Sequence, residues 1–154
     1  MNDTFKDYLR ANGSLTGQEI DRISNKATAL KLRRNQLLLQ SGNICRHKTF
    51  VVNGLLRTYG LTPDGNEHII QFAPENSWTL DADSYNKVVP SRYNISAIEP
   101  SEVLMWAKPD FDELLLSIPG LKQFSDLLIS DTVHNTRNRL LNILSSLLRV
   151  LALA

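Results

Sequence analysis

A chain of 154 residues with 42% hydrophobic and 21% charged residues has the make-up of one globular domain with a single core. A formal net charge of +1 leaves no global field calling for nucleic acid, a membrane surface or an acidic substrate. The lone cysteine, Cys45, rules out an internal disulfide and, by itself, a thiolate zinc or iron–sulfur site, so a semi-buried thiol is expected.

The opening Met1–Asp7 stretch is polar and lacks the basic and apolar regions of a signal peptide, and no run approaches the roughly 18 apolar residues of a membrane span, so a cytoplasmic location is expected. Phe5, Tyr8 and Leu9 share one face of a first short helix that Gly13 stops. Thr16-Gly17-Gln18-Glu19 is a capping box for a second, which turns Ile20, Ile23 and Ala27 inward. From residue 28 the period changes to two. Ala29–Arg33 alternates like a half-buried strand, and Gln36–Gln40 is a short apolar run ended by Ser41-Gly42-Asn43. Thr49–Val52 is β-branched and aromatic and turns at Asn53-Gly54. Leu55–Leu61 and Glu67–Phe72 form a hairpin across Thr62-Pro63-Asp64-Gly65-Asn66, and two further strands follow at Tyr93–Ile98 and Glu102–Trp106. Such spacing points to a barrel or sandwich. Pro109 then starts a helix with Phe111, Leu114 and Leu115 on its apolar face, broken by Ile118-Pro119-Gly120. A long helix is predicted from Leu121 to the end. Its apolar stripe runs through Leu121, Phe124, Leu127 and Leu128 and resumes at Leu140, Leu141, Leu144, Leu147, Leu148 and Leu151, which calls for the barrel or a second copy as cover.

This order of elements resembles the cyclic-nucleotide-binding β-roll of the Crp/Fnr regulators, the catabolite-activator family. The resemblance rests on Phe50–Tyr59, a strand entering a glycine turn and leaving with a basic-x-Tyr pattern, and on the Gly65-Asn66-Glu67 hairpin tip. Ser96–Glu99 followed by Glu102–Leu104, and Ile118-Pro119-Gly120-Leu121, add to it. It implies a mostly β fold with flanking helices, a double-stranded β-helix or jelly-roll-like β-roll over residues 1–120. A long dimerisation helix over 121–154 completes the same structural unit. Leu121, Phe124, Leu128, Leu140, Leu144, Leu147 and Leu148 would then meet a second copy.

In the family, a Gly-Glu-Leu segment and an Arg-Ser or Arg-Thr pair hold the nucleotide. A buried phosphate needs a guanidinium and backbone donors at a helix terminus. Counted back from Ala97, the arginine position falls on Ser91 and its successor on Arg92, while the Gly-Glu-Leu positions fall on Leu80-Asp81-Ala82. The candidate ligand residues are therefore Trp78, Leu80, Asp81, Ser91 and Arg92. A slip of one residue would be needed to bring Arg92 to the anion, and a slip of one residue reverses the face. Tight binding of a cyclic nucleotide is thus not expected; an unidentified small-molecule or nucleotide effector remains open, with no certain cofactor. Trp78 is expected to pack across the barrel mouth, with a ligand wall as the alternative. Asp81 and Asp83 are candidate caps of a short helix.

Against catalysis, the chain lacks a Gly-x-Ser-x-Gly elbow, a phosphate loop and the His-x-His pair of a metal-binding cupin. Glu67 and His68 are neighbours on one strand and face opposite ways. No catalytic or metal site is predicted. Lys31, Arg33 and Arg34 are expected to blunt a strand edge, and Arg137, Arg139 and Arg149 to snorkel along the long helix. The expected function is the sensing domain of a transcription regulator, a homodimer reaching DNA only through a C-terminal domain absent from this chain. The alternatives are a degenerate β-roll serving as an interaction module and a small cupin-like enzyme.

Overall fold

A computed structural model describes residues 3–122 together with Leu148 and Leu151. Two short helices open it, α1 (Asp3–Asn12) and α2 (Gly17–Asn25). The capping box is formed as the sequence predicts: the Glu19 amide donates to Thr16 Oγ1 at 3.2 Å and the Thr16 amide to Glu19 Oε1 at 2.9 Å. Eight strands follow: β1 (Thr28–Leu32), β2 (Leu37–Leu39), β3 (His47–Asn53), β4 (Leu56–Leu61), β5 (Glu67–Ala73), β6 (Trp78–Thr79), β7 (Asn94–Ala97) and β8 (Ser101–Ala107). Helix α3 (Ala82–Lys87) lies between β6 and β7, and α4 (Lys108–Ser117) follows β8 directly, with Pro109 in its first turn.

The strands form two four-stranded antiparallel sheets, ordered β1-β8-β3-β6 and β2-β7-β4-β5. Neighbours in sheet order are mostly distant in sequence, which is the mark of a roll and not of a meander. The first sheet is apolar on both faces. Phe50, Leu104 and Trp106 point outward and join Phe5, Leu9, Ile20, Ile23, Phe111, Leu114 and Ile118 in a helix-covered core. Val51 and Val103 point inward and meet Leu56, Ile95 and Ala97 of the second sheet. This double burial explains why Phe50-Val51-Val52 reads as a continuous apolar run and not as an alternation.

Three expectations change. The strand at residues 28–32 is not half-buried along its length: it is the edge of the first sheet, Leu30 is 36% exposed, and only Leu32 reaches the inner core. An edge strand has cover from one neighbour only, so its outer positions stay wet; Lys31, within 4.0 Å of Glu102, sits on that edge as predicted. Strand β6 was not read from the sequence, because two residues carry no period. Leu121, predicted to head the dimer stripe, is 1% exposed and closes the outer core of its own chain beside Ile118. The rest of the predicted long helix, including Phe124, Leu128, Leu140, Leu144 and Leu147, lies outside the described residues. Leu148 and Leu151 are helical and 67% and 70% exposed.

Candidate functional site: the cradle around the third helix and the cavity beside it

The connection from β6 to β7 holds four of the five residues that the sequence singled out for a ligand, Leu80, Asp81, Ser91 and Arg92; the fifth, Trp78, lies in β6 itself. Asp81 caps α3, its carboxylate accepting from the Ser84 amide at 3.3 Å. The short helix ends at Val88, whose φ of +55° is a left-handed conformation that a β-branched side chain rarely adopts. Ser84 ties the helix to the roll: its hydroxyl accepts from the Cys45 amide at 2.8 Å and donates to the Val89 carbonyl at 2.5 Å. The chain then returns antiparallel to residues 42–44, with the Ser91 amide on the Asn43 carbonyl and the Gly42 amide on the Ser91 carbonyl, each at 2.8 Å.

This return brings Ser91 onto Asp81. The Ser91 hydroxyl donates to Asp81 Oδ2 at 2.5 Å and accepts from the Tyr93 amide at 3.0 Å. Ser91 is 4% exposed, whereas Arg92, its successor, is exposed and makes no ion pair among the described residues. Arg92 stands at a bend just before β7, where the Tyr93 amide turns back onto the Ser91 hydroxyl. Ser91 is thus engaged by a carboxylate, while Arg92 stands at the surface.

Trp78 does not line the cavity. Its ring packs on the outward face of the first sheet, 5.2 Å from Phe50 and 5.3 Å from Trp106 between ring centroids. The Lys48 ammonium sits 5.4 Å from the centroid of Trp78 and 4.6 Å from that of Phe111, and burial lowers the pKa of that lysine. Trp78 therefore packs against the outer core, not across the barrel mouth as expected. The inward-facing neighbours are Thr79 and Leu80, which border a cavity of about 180 Å³ between the two sheets, closed at one side by the loop carrying Cys45. Cys45 is buried, and desolvation, with a smaller contribution from the Asp81 charge, pushes its thiol pKa up. Tyr85 on α3 is 6% exposed, and its hydroxyl is pushed up to about 12, first by burial and then by the Asp112 and Cys45 charges. Among the described residues no cluster of three His, Cys, Asp or Glu side chains has the arrangement of a metal site.

One constellation escaped sequence reasoning. Arg57 and Glu67, each noted separately in the basic-x-Tyr and hairpin-tip patterns, form a two-pronged ion pair at 2.6 and 3.2 Å. Arg57 also donates to Ser96 Oγ at 3.3 Å and lies 4.2 Å from the centre of the Tyr59 ring. The patterns share a physical cause: together they fasten the β4–β5 hairpin to β7. The β4–β5 pairing, shifted by one residue between Thr58 and Tyr59, decides the contact, and that irregularity left no sign in the local sequence.

The described residues thus form a two-sheet antiparallel roll with a capped short helix beside a cavity between the sheets. The model of the cyclic nucleotide-binding domain matches residues 29–117, more than half of the chain, and the chain belongs to that family. Solved structures with the same fold include the catabolite activator protein of Thermus thermophilus, at 16% identity and a TM-score of 0.66 over 86% of this chain. The sensor domain of the transcriptional regulator DNR from Pseudomonas aeruginosa aligns at 14% identity and a TM-score of 0.68, over 90% of each chain. A transcriptional regulator from Thermotoga maritima aligns at 16% identity and a TM-score of 0.64, over 79% of this chain and 94% of its own. At these identities the likeness shows the fold alone. This chain spans 61% of the Thermus protein. No curated protein sequence matches it. Among the described residues no helix is long and apolar enough to cross a membrane.

Proposed function

We propose that this chain is the effector-sensing domain of a Crp/Fnr-type bacterial transcription regulator, cytoplasmic and without enzymatic activity, whose effector is not a tightly held cyclic nucleotide. The observation that carries this reading is the Asp81–Ser91 hydrogen bond standing where a phosphate would need an arginine, with Arg92 turned to solvent. In the working protein, DNA is reached through a C-terminal domain beyond this chain, and the sensing domain acts by changing how two copies meet.

Cyclic AMP at 1 mM is expected to leave the melting temperature of the chain unmoved. A ligand at about 100 times its dissociation constant would add about 2.7 kcal/mol and raise the melting temperature by several degrees. Such a rise would overturn the reading.

The exposed leucines Leu148 and Leu151, three residues apart on helical backbone, support pairing through the C-terminal stripe. Sedimentation equilibrium is expected to give a dimer at micromolar concentration, and to shift toward monomer for the double variant Leu148→Glu, Leu151→Glu. A wild-type monomer at high micromolar concentration would remove the dimer from the proposal.

A further inference from the structure

Lys48 stands apart from the other lysines of the roll. It pairs across the first sheet with Trp106, and its half-buried side chain lies on the outer, helix-covered face. The ammonium stands 4.6 Å from the centre of the Phe111 ring on α4 and 5.4 Å from that of Trp78 on β6. Lys6, Lys31 and Lys87 each have an aspartate or glutamate oxygen within 4.0 Å, whereas Lys48 has no ion pair among the described residues. Burial, with no charge to offset it, lowers its pKa. Ring faces support a cation only modestly, so more of this amine is uncharged than of an exposed lysine. The uncharged amine is the nucleophile.

The same layer holds a donor with nothing to bond. The Trp78 indole N–H is buried and has no acceptor among the described residues. That of Trp106, 5.3 Å away between ring centroids, donates to the Ile23 carbonyl at 2.8 Å. A buried donor without an acceptor is unusual in a native fold. A carbonyl oxygen carried on Lys48 Nζ, beside the ring that bears this N–H, would supply one. The amide formed by an acyl group is also uncharged, which removes the cost of a buried ammonium. An acidic acyl group would put a charge back, so a short neutral one, an acetyl group, suits the place.

We propose that Lys48 is an acylation site, at which the amine takes an acetyl group from an acyl phosphate and the new carbonyl accepts from the Trp78 indole N–H. In the transfer the Nζ lone pair attacks the acyl carbon, the C–N bond forms, and the C–O bond to phosphate breaks. Phosphate leaves with that electron pair, and the amine gives one proton to water. The charge on Lys48 is lost, and with it the cation–π contact that links β3 to Phe111 of α4. The modification thus acts on the helical layer and is independent of what the roll senses.

Acetyl phosphate added to the folded whole chain, with the occupancy of each lysine followed by mass spectrometry of its peptides, tests the site. Lys48 is expected to be acetylated several-fold faster than Lys26 and Lys122, both of which are exposed. An equal or slower rate overturns the proposal. NMR of the two indole N–H groups reads the acceptor. The Trp78 signal, assigned as the one lost in Trp78→Phe, is expected to move downfield as Lys48 is acetylated, with the Trp106 signal unmoved. A Trp78 signal that stays in place overturns the pairing even where Lys48 reacts. Lys48→Gln, which carries a carbonyl without the reaction, is expected to move the Trp78 signal in the same direction. Lys48→Arg treated with acetyl phosphate is expected to leave it in place, and movement there would assign the shift to another lysine and overturn the proposal.

Discussion

Trp106→Ala is expected to cost about 3–5 kcal/mol of stability, the range for emptying a large aromatic site in a packed core. Trp106 is fully buried and joins the helical layer to the first sheet, with Phe5 at 5.1 Å and Phe111 at 6.1 Å between ring centroids. Its indole N–H donates to the Ile23 carbonyl at 2.8 Å, so truncation also leaves an acceptor at the end of α2 without its partner. Against a total stability of about 5–15 kcal/mol, that loss brings the domain close to unfolding. Thermal denaturation followed by circular dichroism is expected to show a fall of roughly 10–20 °C. Trp106→Phe, which keeps the ring and loses the N–H, should fall less. Equal effects of the two variants would mean that the hydrogen bond and not the packing holds the helices to the sheet.

Gly54→Ala is expected to be of similar severity for a different reason. Gly54 turns β3 into β4 with a φ of +101°, and a Cβ there would stand 2.1 Å from Ser101 Oγ and 2.7 Å from Ser101 Cα. The first clash is with a side chain that can rotate; the second is with backbone, which cannot move without disturbing β8. The same contact is bonded, since the Leu55 amide donates to Ser101 Oγ at 3.2 Å. Strain at the positive φ and the forced separation together are expected to cost about 3–5 kcal/mol, read as a fall in the urea midpoint. Adding Ser101→Gly should recover only the part due to the side chain. Full recovery would show that the left-handed backbone costs nothing here.

These two positions also show how local and long-range information divide. That Asn53-Gly54 makes a turn follows from residue chemistry alone, but that the turn presses on Ser101 depends on β8 coming back between β1 and β3. Likewise the capping box of α2 is complete within four residues and was readable as such. Trp78 and Thr79 must face opposite ways on any strand. The sequence leaves open which of them faces the cavity, because the first sheet is apolar on both sides and the usual alternation of apolar with polar is missing.

The sequence by itself determined the kind of molecule: a β-roll with two leading helices and its turns. These follow from period, turn residues and position along the chain, all of which act over a few residues. Only the tertiary structure decided that Asp81 and Ser91 bond to each other, that Arg57 grips Glu67, that Leu121 is buried by its own chain and that the Thr79 hydroxyl is left without a partner. Each of these depends on strand order, register or loop return, and distant segments set those through packing that no local pattern records.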